Sequence, residues 1–419
     1  MGSFLRQRWD TGIVYAKTFL KWTVCSVITG LVCGAIGTAF QLCVQYATDL
    51  RLEYSWLLYL LPVAGLAITG IYQLAGMLDD GGTNTVIQSI RSAEKVPLRM
   101  APLIFASTVL SHLCGASVGR EGAALQIGGS IGHFLGRFLR LDEKDLHIIT
   151  MCGMSAVFSA LFGTPVTAAI FSMEVVSVGV MYYVAFLPCI VSSVIAHLLT
   201  RYFGTVPTDL PQVEIGELSA LSILQVCALA AGCAVVSILF CIALHQANRL
   251  CKQWLGNPYM RIFLGGAITI LMVWVFQSRD YCGAGLDVIV SALRGEAQPQ
   301  MFILKILFTA VALGAGFKGG EIVPTLFIGA AFGNMAGGLL GLDPAVGACI
   351  GMVALFCGVV NCPVASLFLG IELFGTAGLL WFAIASAVSY LLSGYYSLYS
   401  SQKIVYSKLH PNYIDRNAK

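Results

Sequence analysis

Apolar positions in this chain run in long blocks instead of alternating with polar ones. The blocks cover 23–47, 56–77, 151–199, 218–244, 262–276 and 381–392. Several reach the roughly 20 residues that a helix needs to cross the hydrocarbon of a bilayer. Gly and Pro interrupt them, not long polar loops. Unpaired backbone in hydrocarbon is costly, so these spans are expected to be helices. The pattern predicts an all-α polytopic membrane protein.

The same pattern repeats within the chain. One stretch reads GASVGREGAALQIGGSIG around Glu121, and another reads GAGFKGGEIVPTLFIGAAFG around Glu321. Gly119 and Glu121 match Gly319 and Glu321 directly, and Gly128 and Gly132 match Gly329 and Gly333 after a one-residue slip. Downstream, Gly153 and Pro165 are spaced as Gly351 and Pro363 are, and Pro165 and Glu174 as Pro363 and Glu372. Coincidences in register over such a length indicate a duplication. The expected division is a cytoplasmic N-terminal segment 1–19, a first transmembrane repeat 20–204, an extracytoplasmic linker 205–217, a second repeat 218–400 and a cytoplasmic tail 401–419. Arg6, Arg8, Lys17 and Lys21 precede the first span, whereas Arg249, Lys252 and Arg261 follow its counterpart. Lys and Arg mark the cytoplasmic side. The repeats are therefore expected to be inverted, with a site near the midplane where broken helices meet.

Composition strengthens this picture and narrows the function. Of 419 residues, 58% are apolar and 11% charged, against about 25% charged in soluble domains. Mean hydropathy is +0.83. A net charge of +3 with no long basic stretch gives no sign of nucleic acid. Most of the 14 Cys lie inside apolar runs, with no CxxC, and read as packing residues. The basic N-terminus lacks a cleavage-site pattern, and Arg6 stands where a myristoylation motif has Ser or Thr, so neither a removed leader nor a lipid is expected.

Candidate chemistry is concentrated in three Gly-rich stretches, starting at Gly81, Gly119 and Gly319. Each reads as a turn that opens a helix. First-turn N–H groups have no intrahelical partner, so converging N-termini would hold an anion without a full cationic charge. Close helix packing is the competing reading of the same glycines. Glu121 and Glu321 are ionisable residues in apolar surroundings, which are expensive and usually functional. Glu174 and Glu372 fall near helix ends and read as residues facing water or a capping partner. His112, His133 and His197 show no ligand spacing, and neither a Ser-His-Asp pattern nor HExxH is present. No enzyme activity, metal or cofactor is expected. Tyr395, Tyr396 and Tyr399 read as an interfacial belt or as hydroxyls reaching an anion.

These motifs resemble those of the CLC family of chloride channels and anion/proton antiporters. GREGAALQIGG is similar to the family's GREGP stretch, which implies that Glu121 is the gating, proton-carrying glutamate and that Gly119, Arg120 and Gly122 around it bind the anion. GGEIVP resembles GxFxP, placing Gly320, Glu321 and Ile322 at the anion. Tyr399 in SLYSS stands where the family has its anion-contacting tyrosine. GGTNT replaces the family's GSGIP, so Thr83 or Asn84 stands in for its serine. Val175 occupies the place of the inner proton-transfer glutamate of chloride antiporters. The departures most resemble the CLC-F branch, which exchanges fluoride for protons. The resemblance implies a homodimer in the cell membrane, with fluoride and protons as its partners. A chloride/proton antiporter and a passive anion channel are the alternatives. Fluoride is compact and accepts hydrogen bonds strongly, so a protonated Glu321 would suit it.

Overall fold

The computed structural model describes residues 2–92, 94–205 and 210–419, with side chains from residue 11 onward. The side chains of Arg6 and Arg8, and part of the expected 205–217 linker, lie outside the described residues. Seven described helices are long and apolar enough to cross a membrane, and several shorter apolar ones accompany them.

The helices fall into two matching sets. The first comprises α1 (Gly2–Glu53), α2 (Leu61–Leu74), α3 (Thr83–Ser89), α4 (Met100–Leu113), α5 (Glu121–Phe138), α6 (Glu143–Phe162), α7 (Pro165–Glu174) and α8 (Phe186–Tyr202). The second comprises α9 (Ala220–Trp254), α10 (Pro258–Phe276), α11 (Leu286–Leu293), α12 (Met301–Ala315), α13 (Ile322–Leu339), α14 (Pro344–Val360), α15 (Pro363–Phe374) and α16 (Leu379–Leu392). Start signals in the sequence are used as chemistry dictates. Asp142, Ser219, Asn257 and Asp343 cap α6, α9, α10 and α14 with side-chain oxygens on first-turn N–H groups. Pro opens α7, α10, α14 and α15, where its missing N–H costs nothing.

Packing repeats as well. α5 lies on α6 as α13 lies on α14, and α1 on α8 as α9 on α16. Gly makes the first of these contacts possible. A Cβ on Gly128 would stand 2.2 Å from the Gly153 carbonyl oxygen, and one on Gly329 would stand 2.5 Å from that of Gly351. Such small-residue seams let membrane helices approach closely without a hydrophobic drive between them. Across the halves, α2 packs on α10, α7 on α15 and α5 on α13. Each of these helices meets its own counterpart, as two inverted repeats around a pseudo-two-fold axis require.

Two features differ from the sequence expectation. The repeat needs no slip, because Gly119 pairs with Gly320 and Glu121 opens α5 as Ile322 opens α13. Glu321 is thus the counterpart of Arg120, not of Glu121. The chain is also not helical throughout. β1 (Ser177–Val178) pairs in parallel with β2 (Lys403–Tyr406), which pairs antiparallel with β3 (Tyr413–Asn417). This small sheet ties the C-terminal residues back to the segment after α7.

Candidate functional site

Three helix N-termini meet where the halves touch. Gly119 N–H donates to the Gly320 carbonyl at 2.6 Å, and Gly320 N–H returns to the Gly119 carbonyl at 2.7 Å. A Cβ on Gly320 would stand 2.4 Å from the Gly122 nitrogen, so this crossing admits only glycine. Before α3, Gly82 takes φ +60°, which brings the chain round to start the helix at Thr83. The Thr83 hydroxyl donates to the Gly122 carbonyl at 3.3 Å and accepts from Gln126 Nε2 at 3.2 Å. α3 is thereby fixed to the first turn of α5.

Glu121 is 1% exposed. Its Oε2 accepts the Arg120 N–H at 3.0 Å, its Oε1 lies 3.4 Å from Arg120 Nε, and the Val323 N–H of α13 also reaches it. A carboxylate carried by α5 therefore sits over the N-terminus of α13. The unpaired N–H groups there favour negative charge. Ile322, the first residue of α13, is fully buried beside it.

Glu321 holds the N-cap position of α13 yet makes no side-chain capping bond. Its Oε2 is buried without a hydrogen-bond partner among the described residues, 2.9 Å from where a Gly122 Cβ would stand. The carboxyl of Glu321 thus faces the start of α5 while that of Glu121 faces the start of α13. Tyr399 is 1% exposed, and its hydroxyl is likewise buried without a partner among the described residues. It lies within electrostatic reach of Glu321 and Glu121. A buried polar group without a partner costs about 1–3 kcal/mol. Two of them beside a second carboxyl, that of Glu121, mark a place where a ligand or water completes the bonding.

Of the residues singled out from sequence, Gly119, Arg120, Glu121, Gly122, Gly320, Glu321 and Ile322 come together at this crossing, with Thr83 bonded to it. Asn84 has a different task. Its Oδ1 accepts from the Ser401 N–H at 3.0 Å and from the Ser401 hydroxyl at 2.9 Å. Arg91 donates to the Ser401 carbonyl. Asn84 therefore braces the loop that carries Tyr399.

Val175 is fully buried, and its carbonyl accepts from Gln402 Nε2 at 3.0 Å. Gln402 also donates to the Val360 carbonyl at 2.8 Å and accepts from Asn361 Nδ2 at 3.1 Å. The sequence does not single out Gln402, since nothing in a short polar tail signals burial, nor Asn361, which caps the end of α14.

A family profile described as voltage gated chloride channel matches residues 64–394. The chain belongs to the CLC family. A chloride/fluoride channel protein of Pseudomonas syringae pv. tomato is 37% identical over 93% of this chain and 88% of its own length. An H(+)/Cl(−) exchange transporter, ClcA, of Vibrio campbellii is 25% identical, covering 83% of this chain and 81% of its own. The crystal structure of a CLC-type fluoride/proton antiporter superposes with a TM-score of 0.88 at 29% identity, covering 91% of this chain and 98% of that one. A slow cyanobacterial Cl−/H+ antiporter shares the fold at a TM-score of 0.73 and 20% identity, covering 89% of this chain and 94% of its own.

In this CLC chain a cavity of about 580 Å³ leads to Arg120 and is lined by Arg51, His112, Arg279, Asp49, Asp280 and Asp287 among others. His112 Nε2 lies 3.4 Å from the Gly119 carbonyl. Behind it, fully buried Lys305 donates to the carbonyls of Tyr281 and Gly283 at 3.1 and 2.8 Å and stands 5.0 Å from the Phe327 ring centre. An intramembrane lysine is itself a functional signal in a sequence, though no motif marks this one. It ties the 281–283 segment, which contributes to the cavity wall, to α12.

Proposed function

We propose that this protein is a proton-coupled anion antiporter of the cell membrane, exporting fluoride in exchange for protons as part of a homodimer. The observation that carries the reading is the pair of carboxyls at the crossing. Glu121 occupies the α13 N-terminus, and Glu321 stands beside it with a buried, unpartnered oxygen. The relatives named for fluoride support the choice of anion.

The chemistry follows from charge. An ionised Glu121 fills the place at the Val323 N–H that an anion would take. Protonation removes the charge that holds it there, and the side chain can leave to an anion that makes the same backbone bonds. Glu321 adjoins that anion. Two negative charges so close in a low dielectric repel strongly, so the anion is held when Glu321 carries its proton and donates an O–H bond. Loss of that proton to the side opposite the departing anion then expels it, which keeps the two movements opposed. Fluoride, the stronger acceptor, gains most from such a donor. Val175 supplies no carboxyl, so the proton path runs through Glu121 and Glu321 themselves.

The test is Glu121→Gln in proteoliposomes loaded with fluoride, with external pH recorded during efflux. The variant cannot ionise and is expected to lose fluoride-driven proton movement. Wild-type proton uptake by the variant would refute the role given to Glu121.

A further inference from the structure

An apolar groove of about 600 Å³ opens between α10 and the turn that precedes α2. Its walls are Leu58 and Tyr59, from the short 3-10 turn before α2, and Ala267, Ile270, Leu271 and Trp274 of α10. The α10 residues are spaced by three, one and three, so they form one stripe along the helix. The stripe ends in a polar rim of Gln277, Ser278 and Arg279.

Length and chemistry together select an occupant. From Ala267 to Gln277 the helix rises about 15 Å, half of the roughly 30 Å hydrocarbon core. The groove thus spans one leaflet, from near the midplane to the interface. Tyr59 and Trp274 are 60% and 71% exposed at its walls, as amphipathic rings at a membrane surface are. Arg279 is exposed at the interfacial end, where its Nη1 donates to the Ser55 carbonyl at 3.2 Å, which holds the guanidinium at the rim. The neighbouring Asp280 carboxylate accepts from the Ser278 hydroxyl at 2.8 Å. An acyl chain fits the stripe, and an arginine at headgroup level matches a phosphate. Arg279 also lines the cavity that leads to Arg120.

We propose that this groove binds one acyl chain of an anionic phospholipid, with the lipid phosphate on Arg279 at the lip of the anion cavity. The lipid shares a cation with the permeant ion, so it sets the local charge at that entrance.

The experiment is native mass spectrometry of the whole protein in mild detergent, titrated with phosphatidylglycerol and, separately, with phosphatidylcholine. The wild type is expected to retain phosphatidylglycerol in preference. Arg279→Gln should weaken that retention about fivefold, the factor one basic residue supplies towards anionic lipid. Ala267→Trp, which fills the groove and leaves the charge, should weaken it as well. Arg279 is exposed, so its variant keeps the fold and remains decisive if the groove-filling variant does not assemble. Equal retention of the two lipids by the wild type, or unchanged phosphatidylglycerol retention by Arg279→Gln, would overturn the proposal. Displacement of the lipid by millimolar inorganic phosphate would refute the acyl-chain contact.

Discussion

An ionised Glu321 at the N-cap of α13 would ordinarily turn onto its own helix, where it could accept first-turn N–H groups. It makes no such bond, and its Oε2 is left buried and unpaired. That geometry suits a carboxyl that acts as a donor to a transient guest. Glu321→Ala is therefore expected to reduce fluoride efflux by about tenfold or more, the worth of one charge-assisted hydrogen bond, and chloride passage by less. Glu321→Gln should fall between. Initial efflux of each anion from matched proteoliposomes checks this, and equal fractional loss of both would make Glu321 structural. Tyr399 offers a second residue-scale test. Its hydroxyl has no partner among the described residues, so Tyr399→Phe sacrifices no protein hydrogen bond. Thermal stability should not fall, while the half-saturating fluoride concentration should rise severalfold. Unchanged fluoride dependence would remove Tyr399 from the site. The sequence showed both glutamates but suggested the wrong pairing. Their similar settings hid the fact that one is the first residue of a helix and the other an N-cap, a difference that the helix bounds and the Gly119–Gly320 bridge reveal.

Helices in this fold are terminated across the repeat axis as well as within each half. Glu174, at the end of α7, accepts the Val364 and Ala365 N–H groups that open α15, at 3.2 and 2.9 Å. Glu372, in α15, accepts those of Val166 and Thr167 at the start of α7, at 2.9 and 2.8 Å. Each carboxylate satisfies orphan donors that Pro165 and Pro363 leave at the following positions. The duplicated spacing was legible in the chain, and a capping partner was one of its readings. That each cap serves the other half was not, because reciprocity is a property of the three-dimensional axis. Glu372→Gln replaces a charged acceptor by a neutral one at two N–H groups and is expected to cost about 1–2 kcal/mol. The effect is read as a lower thermal midpoint in detergent with anion selectivity retained. A change in selectivity at unchanged stability would instead assign Glu372 to the site. Gly320→Ala tests the crossing itself. Its Cβ would meet the Gly122 nitrogen at 2.4 Å, so transport of both anions should be lost, and wild-type flux in that variant would contradict the contact.

For the molecule as a whole, the long apolar blocks and the repeated glycines suffice to indicate an inverted-repeat membrane fold. What they leave hidden is how distant segments join. The tail looks like a simple polar end, yet Gln402 is buried on the carbonyls of Val175 and Val360, and β2 pairs with β1. Charge patterning cannot report such pairings, since the groups involved are backbone and amide. The cavity lined by Arg51 and Arg279 is equally invisible in the chain, because its residues come from segments as far apart as α1, α4 and α11. Val175 bears on the transport cycle as a unit. Because coupling is assigned to the two glutamates at the crossing, Val175→Glu should leave the proton-to-fluoride ratio unchanged, measured from paired electrode and pH traces. A ratio that changes with this substitution would show a second proton route past Val175.

Fluoride leaving the cell should drive protons inward through this protein. The wild type tests this directly, in proteoliposomes that carry a fluoride gradient and no initial pH gradient, with a fluoride electrode and a pH electrode read together. Coupled exchange requires proton uptake against the emerging pH gradient, at a fixed ratio to fluoride efflux, and a much weaker response when chloride replaces fluoride. Fluoride efflux with no proton uptake, or chloride driving protons as well as fluoride does, would contradict it.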